Sequence, residues 1–329
     1  MGKIVENNTN EYSRRNRKKQ NKKKKKSRRG CLWFFVILLL IGLGLGVYAY
    51  LELRSTTDTI HETVEEEAIT HTSREKEKVE LNRKTPFSIL LLGIDSGDMG
   101  RIERGRSDTI MVMTVNPNTE KTTLLSIPRD TYAEIVGKGF QDKLNHAYSF
   151  GGPAMSMNSV QNYLDIPIDY YVSVNMKGIQ QIVDAVDGIT LTPSRSFKQD
   201  GFSFVKDQPT NMNGEMALAY SRMRKLDSDY GRQGRQREVV LETLNKIASF
   251  NSVLNYQSVL QTMEDNVLTN LSFDELVSVF LNYRTALTNL EQLQLQGSGQ
   301  RMGGIYYEII PEEQLQEVSQ ELKTQLEIE

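Results

Sequence analysis

Twenty-two consecutive residues, Gly30 to Leu51, carry no charge, and this run constrains every arrangement of the rest of the chain. As a helix it would be about 33 Å long, close to the roughly 30 Å hydrocarbon core of a bilayer. Trp33 stands near one end and Tyr48 and Tyr50 near the other, where interfacial aromatics belong. Ahead of it, residues 1–29 hold 13 Lys/Arg against Glu6 and Glu11, a net of +11, so the remaining 300 residues carry −13. A basic flank before an apolar span keeps the amino terminus in the cytoplasm and sends the acidic body outside.

A cleavable signal peptide is the rival reading, with Val47-Tyr48-Ala49 as a loose cleavage site. The apolar run exceeds the usual length of a signal peptide's core, which favours a retained anchor. Cys31 is the one cysteine, so an intrachain disulfide and a zinc-thiolate site are both excluded. The sequence divides into a basic tail (1–29), a transmembrane anchor (30–51), a polar stalk (52–84) without Gly or Pro, and a body (85–329). His61 and His71 fall in the stalk, where no third ligand suggests a metal.

The body alternates strand and helix patterns, which predicts one α/β domain. Phe87–Gly93 is a continuous apolar run of strand length, as in a strand buried on both faces. Thr109–Val115 and Lys121–Ile127 flank the turn Asn116-Pro117-Asn118 and predict a hairpin. Helices are expected over 153–164, 176–186, 213–225, 238–250 and 273–290, with Leu276, Phe280 and Leu281 in the core, and a last one opened by Pro311. Strands are expected over 169–174, 188–192, 292–296 and 304–310.

Residues 222–237 concentrate Arg222, Arg224, Arg232, Arg235 and Arg237 around Asp227, Asp229, Tyr230 and Gly231. Planar guanidinium forks suit phosphate oxygens, so the cluster suggests a polyanion site; a basic helix start on the surface is the plainer reading. Asp95 ends the first strand and Asp108 opens the second. Two carboxylates at strand ends could share a hard cation such as Mg²⁺, or simply be solvated. Arg129 follows Pro128 at the tip of the third strand, placed for a ligand or for a salt bridge near Asp130. His146 could act as a base by residue type, yet no nucleophile motif surrounds it. The chain has no phosphate-binding P-loop, no dinucleotide fingerprint and no G-x-S-x-G elbow. Nucleotide hydrolysis and serine-hydrolase chemistry are thereby disfavoured.

Five segments in this order give the resemblance: Leu91-Leu-Gly-Ile-Asp95, Gly105-Arg-Ser-Asp-Thr109, Ser126-Ile-Pro-Arg-Asp-Thr131, Lys143-Leu-Asn-His-Ala-Tyr148 and Asp229-Tyr-Gly-Arg-Gln-Gly-Arg-Gln236. Together they resemble the LytR-CpsA-Psr family of Gram-positive bacteria over about residues 86–250. The resemblance implies a central mixed β-sheet flanked by helices, preceded by one membrane span. It implies a phosphotransferase that moves an anionic glycopolymer, teichoic acid or capsule, from undecaprenyl pyrophosphate to peptidoglycan. By the same resemblance Asp95 and Asp108 would hold Mg²⁺ (or Mn²⁺). Arg106, Arg129, Arg222, Arg224 and Arg232 would clamp the pyrophosphate, and Asp229 and Gln236 would complete the site. The chain departs from the family where Gly97 and Asp98 follow Ser96 in place of an arginine. Two other functions stand beside this one: a regulator binding DNA through residues 1–29, and a prenyl-pyrophosphate binder or hydrolase. The tail holds no reading helix, so no specific nucleic-acid partner is expected.

Overall fold

The computed structural model describes residues 79–95, 105–225, 227–249 and 266–328. The expected tail and anchor, the stalk up to residue 78, Cys31, His61 and His71 lie outside them. No helix among the described residues is long and apolar enough to cross a membrane. Packing begins before Thr85: Leu81, in a short 3-10 turn, is buried beside Phe87.

The first apolar run forms β1 (Phe87–Ile94), and both its faces are covered. Phe87 and Ile89 enter one core, whereas Leu90, Leu92 and Ile94 enter the other, the two-residue alternation of a strand. β2 (Ser107–Asn116) and β3 (Lys121–Ile127) make the expected antiparallel hairpin. Its turn is held by Asn116 Oδ1, which accepts the N–H groups of Asn118 at 2.8 Å and Thr119 at 3.0 Å. β4 (Tyr132–Ile135) and β5 (Phe140–Lys143) form a second, small hairpin that the sequence reading passed over. α1 (His146–Leu164) is two helical pieces meeting at a kink, where Gly152 at φ 67° turns the chain ahead of Pro153; the helix expected from 153 is the second piece, and the first was not expected.

β6 (Tyr170–Asn175) returns parallel to β1. α2 (Met176–Ala185) follows at once, capped by Asn175, whose side chain accepts the Gly178 N–H at 2.8 Å. β7 (Ile189–Leu191), the hairpin β8 (Phe197–Gln199) and β9 (Phe202–Phe204), and β10 (Thr210–Met212) form two-stranded pieces outside the main sheet. They surround a separate apolar cluster with α3 (Gly214–Arg222) and Val239 of α4 (Asp229–Ala248). β11 (Val267–Thr269) pairs with β6, and α5 (Phe273–Asn282) opens with the reciprocal cap of Ser272 and Glu275. β12 (Leu290–Gln294) joins β3 in parallel. The hairpin β13 (Ser298–Met302) and β14 (Ile305–Ile309) leads to α6 (Glu312–Leu326).

The main sheet runs β11-β6-β1-β2-β3-β12, parallel at β1/β6 and β3/β12 and antiparallel elsewhere. It is therefore the mixed sheet with helices that the reading anticipated. α1 and α6 cover one face through Met157, Val160, Val318 and Leu322, and α4 and α5 lie against the other.

Several expectations on helices change. The helix over 273–290 ends at Asn282, since Leu290 is drawn into edge pairing with β3. Leu281, expected in the core, is 67% exposed: the buried stripe runs through Phe273, Leu276 and Tyr283, and residue 281 points elsewhere at 100° per residue. The helix over 213–225 stops at Arg222, and the next starts at Asp229 rather than 238.

Replacing Leu322, fully buried beneath the sheet in α6, with Ala should cost about 2–5 kcal/mol of unfolding free energy, read as a lowered urea midpoint at unchanged slope.

Candidate functional site

The break between α3 and α4 is what presents the arginines. Met223 leaves the helix with ψ 125°, and Ser228 remains extended until Asp229 restarts it. Arg235 fixes the break from inside. Its guanidinium donates to both oxygens of Asp227, at 2.7 and 3.0 Å, and to the Met223 carbonyl at 2.5 Å. Gly231 permits this approach, since a Cβ there would stand 2.3 Å from the Asp227 carboxyl carbon. Arg235 is thus a structural clamp, whereas Arg232, one turn of helix after Asp229, faces the sheet ends.

Pro128 ends β3 and its carbonyl accepts both the N–H and the hydroxyl of Thr131. The turn is tied to the segment before α1: Arg129 O accepts the Asn145 N–H at 3.1 Å and Thr131 O the Leu144 N–H at 2.9 Å. Two of the sequence segments singled out above therefore form one unit. In it Arg129 Nη1 donates to Asp108 Oδ2 at 2.9 Å, and Asp130 pairs with Lys143 at 2.8 Å.

Arg224 reaches the same Asp108 oxygen at 3.7 Å, and Arg232 Nη2 lies 2.6 Å from Asp229 Oδ1, close but not aligned as a hydrogen bond. Arg232 is only 2% exposed. Burial lowers its pKa, and the neighbouring charges of Arg129 and Arg224 lower it further against the pull of Asp229 and Asp108. For Arg129 burial also works against the charge, but Asp108, Asp130 and Asp229 outweigh it and raise the pKa. Three guanidinium groups thus meet three carboxylates, Asp108 shared by Arg129 and Arg224, Asp229 beside Arg232, and Asp130 with its Oδ2 3.6 Å from Arg129 Nε.

Several buried polar atoms here have no hydrogen-bond partner: Asp108 Oδ1, Arg129 Nε, Arg232 Nε, Asn145 Oδ1 and, one turn beyond Arg232, Gln236 Oε1. Buried polar groups are normally satisfied, so these atoms make the cluster a candidate ligand site. An anion would relieve the repulsion among the arginines, and a cation would satisfy Asp108 Oδ1. No group of three or more His, Cys, Asp or Glu that could hold a metal occurs among the described residues. Mg²⁺ needs no such group, because one or two carboxylates with substrate oxygens and water suffice.

Asp95 and Arg106 sit across the β1/β2 ladder from one another at the same sheet end as Asp108, the Asp95 N–H donating to the Arg106 carbonyl at 3.0 Å. The Arg106 side chain is exposed, and Arg222, at the end of α3, is exposed with no ion pair among the described residues. The structure therefore assembles Asp108, Arg129, Arg224, Asp229 and Arg232, sets Asp95 and Arg106 beside them, and leaves Arg222 at the margin. The salt bridge expected near Asp130 is present, Arg129 Nε lying 3.6 Å from Asp130 Oδ2; the sequence reading missed Lys143 and Asn145, although both lie inside a segment it quoted. It also missed Tyr230 and Glu308, distant in sequence and joined by a hydrogen bond.

Comparison with known proteins decides what kind of chain carries this cluster. The LytR_cpsA_psr family model matches residues 47–324. The chain belongs to the LytR-CpsA-Psr family. Over 293 residues it is 48% identical to the polyisoprenyl-teichoic acid–peptidoglycan teichoic acid transferase TagU of Enterococcus faecalis, covering 88% of this chain and 94% of that protein. It is similar to the crystal structure of Bacillus subtilis TagU, with TM-score 0.62 and 42% identity over 75% of this chain and 99% of that one. It is also similar to an E. faecalis protein described as a transcriptional regulator, with TM-score 0.70 and 39% identity over 77% of this chain and 92% of that one. In this LytR-CpsA-Psr chain His146 pairs with Asp142 at 2.7 Å, at the base of β5, and makes no contact with the arginine cluster among the described residues.

Burial would raise the Asp142 carboxyl, but hydrogen bonds from His146, the Lys143 N–H and Tyr307 prevail and hold it below its ordinary value of 3.8. A depressed carboxyl stabilises the fold above its unfolded pKa and loses that contribution as pH falls through the folded one. The destabilisation caused by Asp142→Asn should therefore be full at pH 6 and shrink below about pH 4, measured as the difference in urea midpoint from the wild type.

Proposed function

We propose that this protein transfers an anionic glycopolymer, a teichoic acid or capsular polysaccharide, from its undecaprenyl pyrophosphate carrier to peptidoglycan. The observation that carries the reading is the convergence of Arg129, Arg224 and Arg232 on Asp108 and Asp229. Family membership and the activity named for the E. faecalis relative support it. In this reading residues 30–51 anchor the chain in the cell membrane as a single span. Residues 1–29 remain cytoplasmic and the body lies outside, where both peptidoglycan and the carrier's headgroup are within reach.

Phosphoryl transfer needs positioning and charge neutralisation more than covalent chemistry from the protein. Arg129, Arg224 and Arg232 bind the pyrophosphate oxygens, with Arg106 and Arg222 at the rim and the half-buried Gln236 completing the site through its amide N–H groups. Asp229 and Asp108 orient the guanidinium groups. An acceptor sugar hydroxyl forms a bond to the glycan-bearing phosphorus. The bond from that phosphorus to the bridging oxygen breaks, and the prenyl phosphate leaves with the charge. Of the three carboxylates at the cluster, Asp229 is the most open, its side chain 40% exposed against 13% for Asp108 and 21% for Asp130, and to it we assign the hydroxyl proton. Asp95 and Asp108 would hold Mg²⁺ (or Mn²⁺), which when bound supplies charge neutralisation at the diphosphate. The unpartnered Asp108 Oδ1 fits that role.

The test uses the full-length protein in liposomes with Mg²⁺, a synthetic prenyl-pyrophosphate glycan and un-crosslinked peptidoglycan. A covalent glycan-phosphate-peptidoglycan product is expected. Arg129→Ala and Asp108→Asn should each lower its rate about 10²–10³-fold, and EDTA should abolish it until Mg²⁺ is restored. Undiminished transfer in both variants would remove the cluster from the chemistry. Free glycan phosphate without an adduct would make the protein a hydrolase. A regulator would instead lose DNA occupancy on neutralising Lys22 to Lys26.

A further inference from the structure

Tyr306 stands beside the charged cluster and the transfer mechanism does not use it. It lies on β14, two residues before Glu308, so the two side chains share a face. Glu308 is buried and tied into the site from three sides. Its N–H donates to the Asp130 carbonyl at 2.8 Å, and its neighbour across an isolated bridge is Thr131. Its carboxylate accepts the hydroxyl of Tyr230, the residue after Asp229, and that of Tyr306 at 2.6 Å. Tyr230 Oη in turn accepts the Gly297 N–H at 2.8 Å at the root of the hairpin. The β13–β14 hairpin is therefore fastened to both the Arg129-Asp130 turn and the start of α4.

The Tyr306 ring is held as well as placed. Glu308 fixes its hydroxyl, and its ring packs on Gly299, where a Cβ would stand 2.5 Å from a ring carbon. Any side chain at residue 299 would push the ring aside. Despite both restraints the side chain is 41% exposed. The hydrogen bond to Glu308, with burial and the charge of Glu308 adding to it, pushes the phenol up to about 12, and Asp130 and Asp229 contribute. The hydroxyl thus stays protonated at neutral pH and donates to Glu308, so it is no base. What the ring offers outward is a rigid, electron-rich surface at the rim of a phosphate-binding cluster.

We propose that Tyr306, held against Gly299 and Glu308 beside Asp130 and Asp229, is the platform on which the acceptor sugar stacks. The inference rests on the transferase reading and names its acceptor side. A pyranose carries axial C–H groups on one face, and such a face packs on an aromatic ring while its hydroxyls remain in water at the edge. The arginines can bind the pyrophosphate and sugar hydroxyls, but they offer no apolar surface to the C–H face of a sugar ring. An aromatic surface adjoining them completes a site for two unlike substrates. Tyr306 would act as a positioning group for the attacking hydroxyl and take no part in bond making.

The test compares the full-length protein with Tyr306→Ala, Tyr306→Phe and Gly299→Ala in the liposome assay, varying un-crosslinked peptidoglycan and donor separately. Tyr306→Ala should raise KM for peptidoglycan about tenfold, the size of one aromatic contact. Its affinity for the prenyl-pyrophosphate donor, measured without acceptor, should stay at the wild-type value. Tyr306→Phe keeps the ring and should stay within about threefold of wild type. Gly299→Ala, which keeps the phenol but displaces it, should behave as Tyr306→Ala. A thermal midpoint measured for each variant separates loss of the platform from loss of the fold. An unchanged acceptor KM in Tyr306→Ala, or a loss confined to donor affinity, overturns the platform while leaving the transferase intact. Absence of transfer by the wild type itself overturns the reading on which the inference rests.

Discussion

The ion pair between Arg129 and Asp108 joins the tip of β3 to the start of β2, and the site depends on it. Asp108 is one carboxylate shared between Arg129 and Arg224. It stands within the field of Arg232, which Asp229 holds from the other side. Burial is the first cause of the depressed pKa of Arg232, and the charges of Arg129 and Arg224 add to it against the pull of Asp229 and Asp108. A folded protein tolerates such crowding where a polyanion will complete it. The mutual repulsion of Arg129, Arg224 and Arg232 would be relieved by a bound anion.

That crowding is imposed by backbone. Pro128 stops β3 and the turn after it is bonded to the segment that opens α1, so the backbone of Arg129 is fixed at the sheet end beside Asp108. The Arg235–Asp227 fork, packed over Gly231, fixes the break between α3 and α4 and aims Arg224 and Arg232 at the sheet ends. Behind these loops lies a sheet covered on both faces. A site built on strand termini and helix starts, with its loops cross-bonded, keeps its geometry without a ligand present.

The distribution of buried polar atoms without partners follows the same logic. Gln236, Arg232, Arg129, Asp108 and Asn145 come from four separate stretches of chain, and each leaves a donor or acceptor unused in the interior. In ordinary packing such groups are paired off locally. Their meeting here is a property of the assembled molecule, and the hairpin carrying Tyr306 and Glu308 closes the same region from a fifth stretch.

Much of this was legible in the sequence. The strand buried on both faces, the β2/β3 hairpin and the last helix after Pro311 follow from local rules of period, turn chemistry and proline, and these rules act within a few residues. The arginine-rich stretch suggested a polyanion site because guanidinium forks suit phosphate oxygens, and the fold brings two of its arginines, Arg224 and Arg232, to Asp108 and Asp229. What the sequence could not give was any feature set by distant partners. Leu290 leaves the expected helix because β3 offers an edge to pair with. Leu281 looks apolar enough for the core yet faces outward, since only packing chooses which side of a helix is buried. Arg235 and Arg232 read alike in the chain, and only the folded break between two helices makes one a structural clamp and the other part of the site. Tyr306 carries no local signal at all: its place beside Asp130 and Asp229 exists because tertiary pairing brings a late hairpin to two earlier turns, and sequence separation hides every contact of that kind.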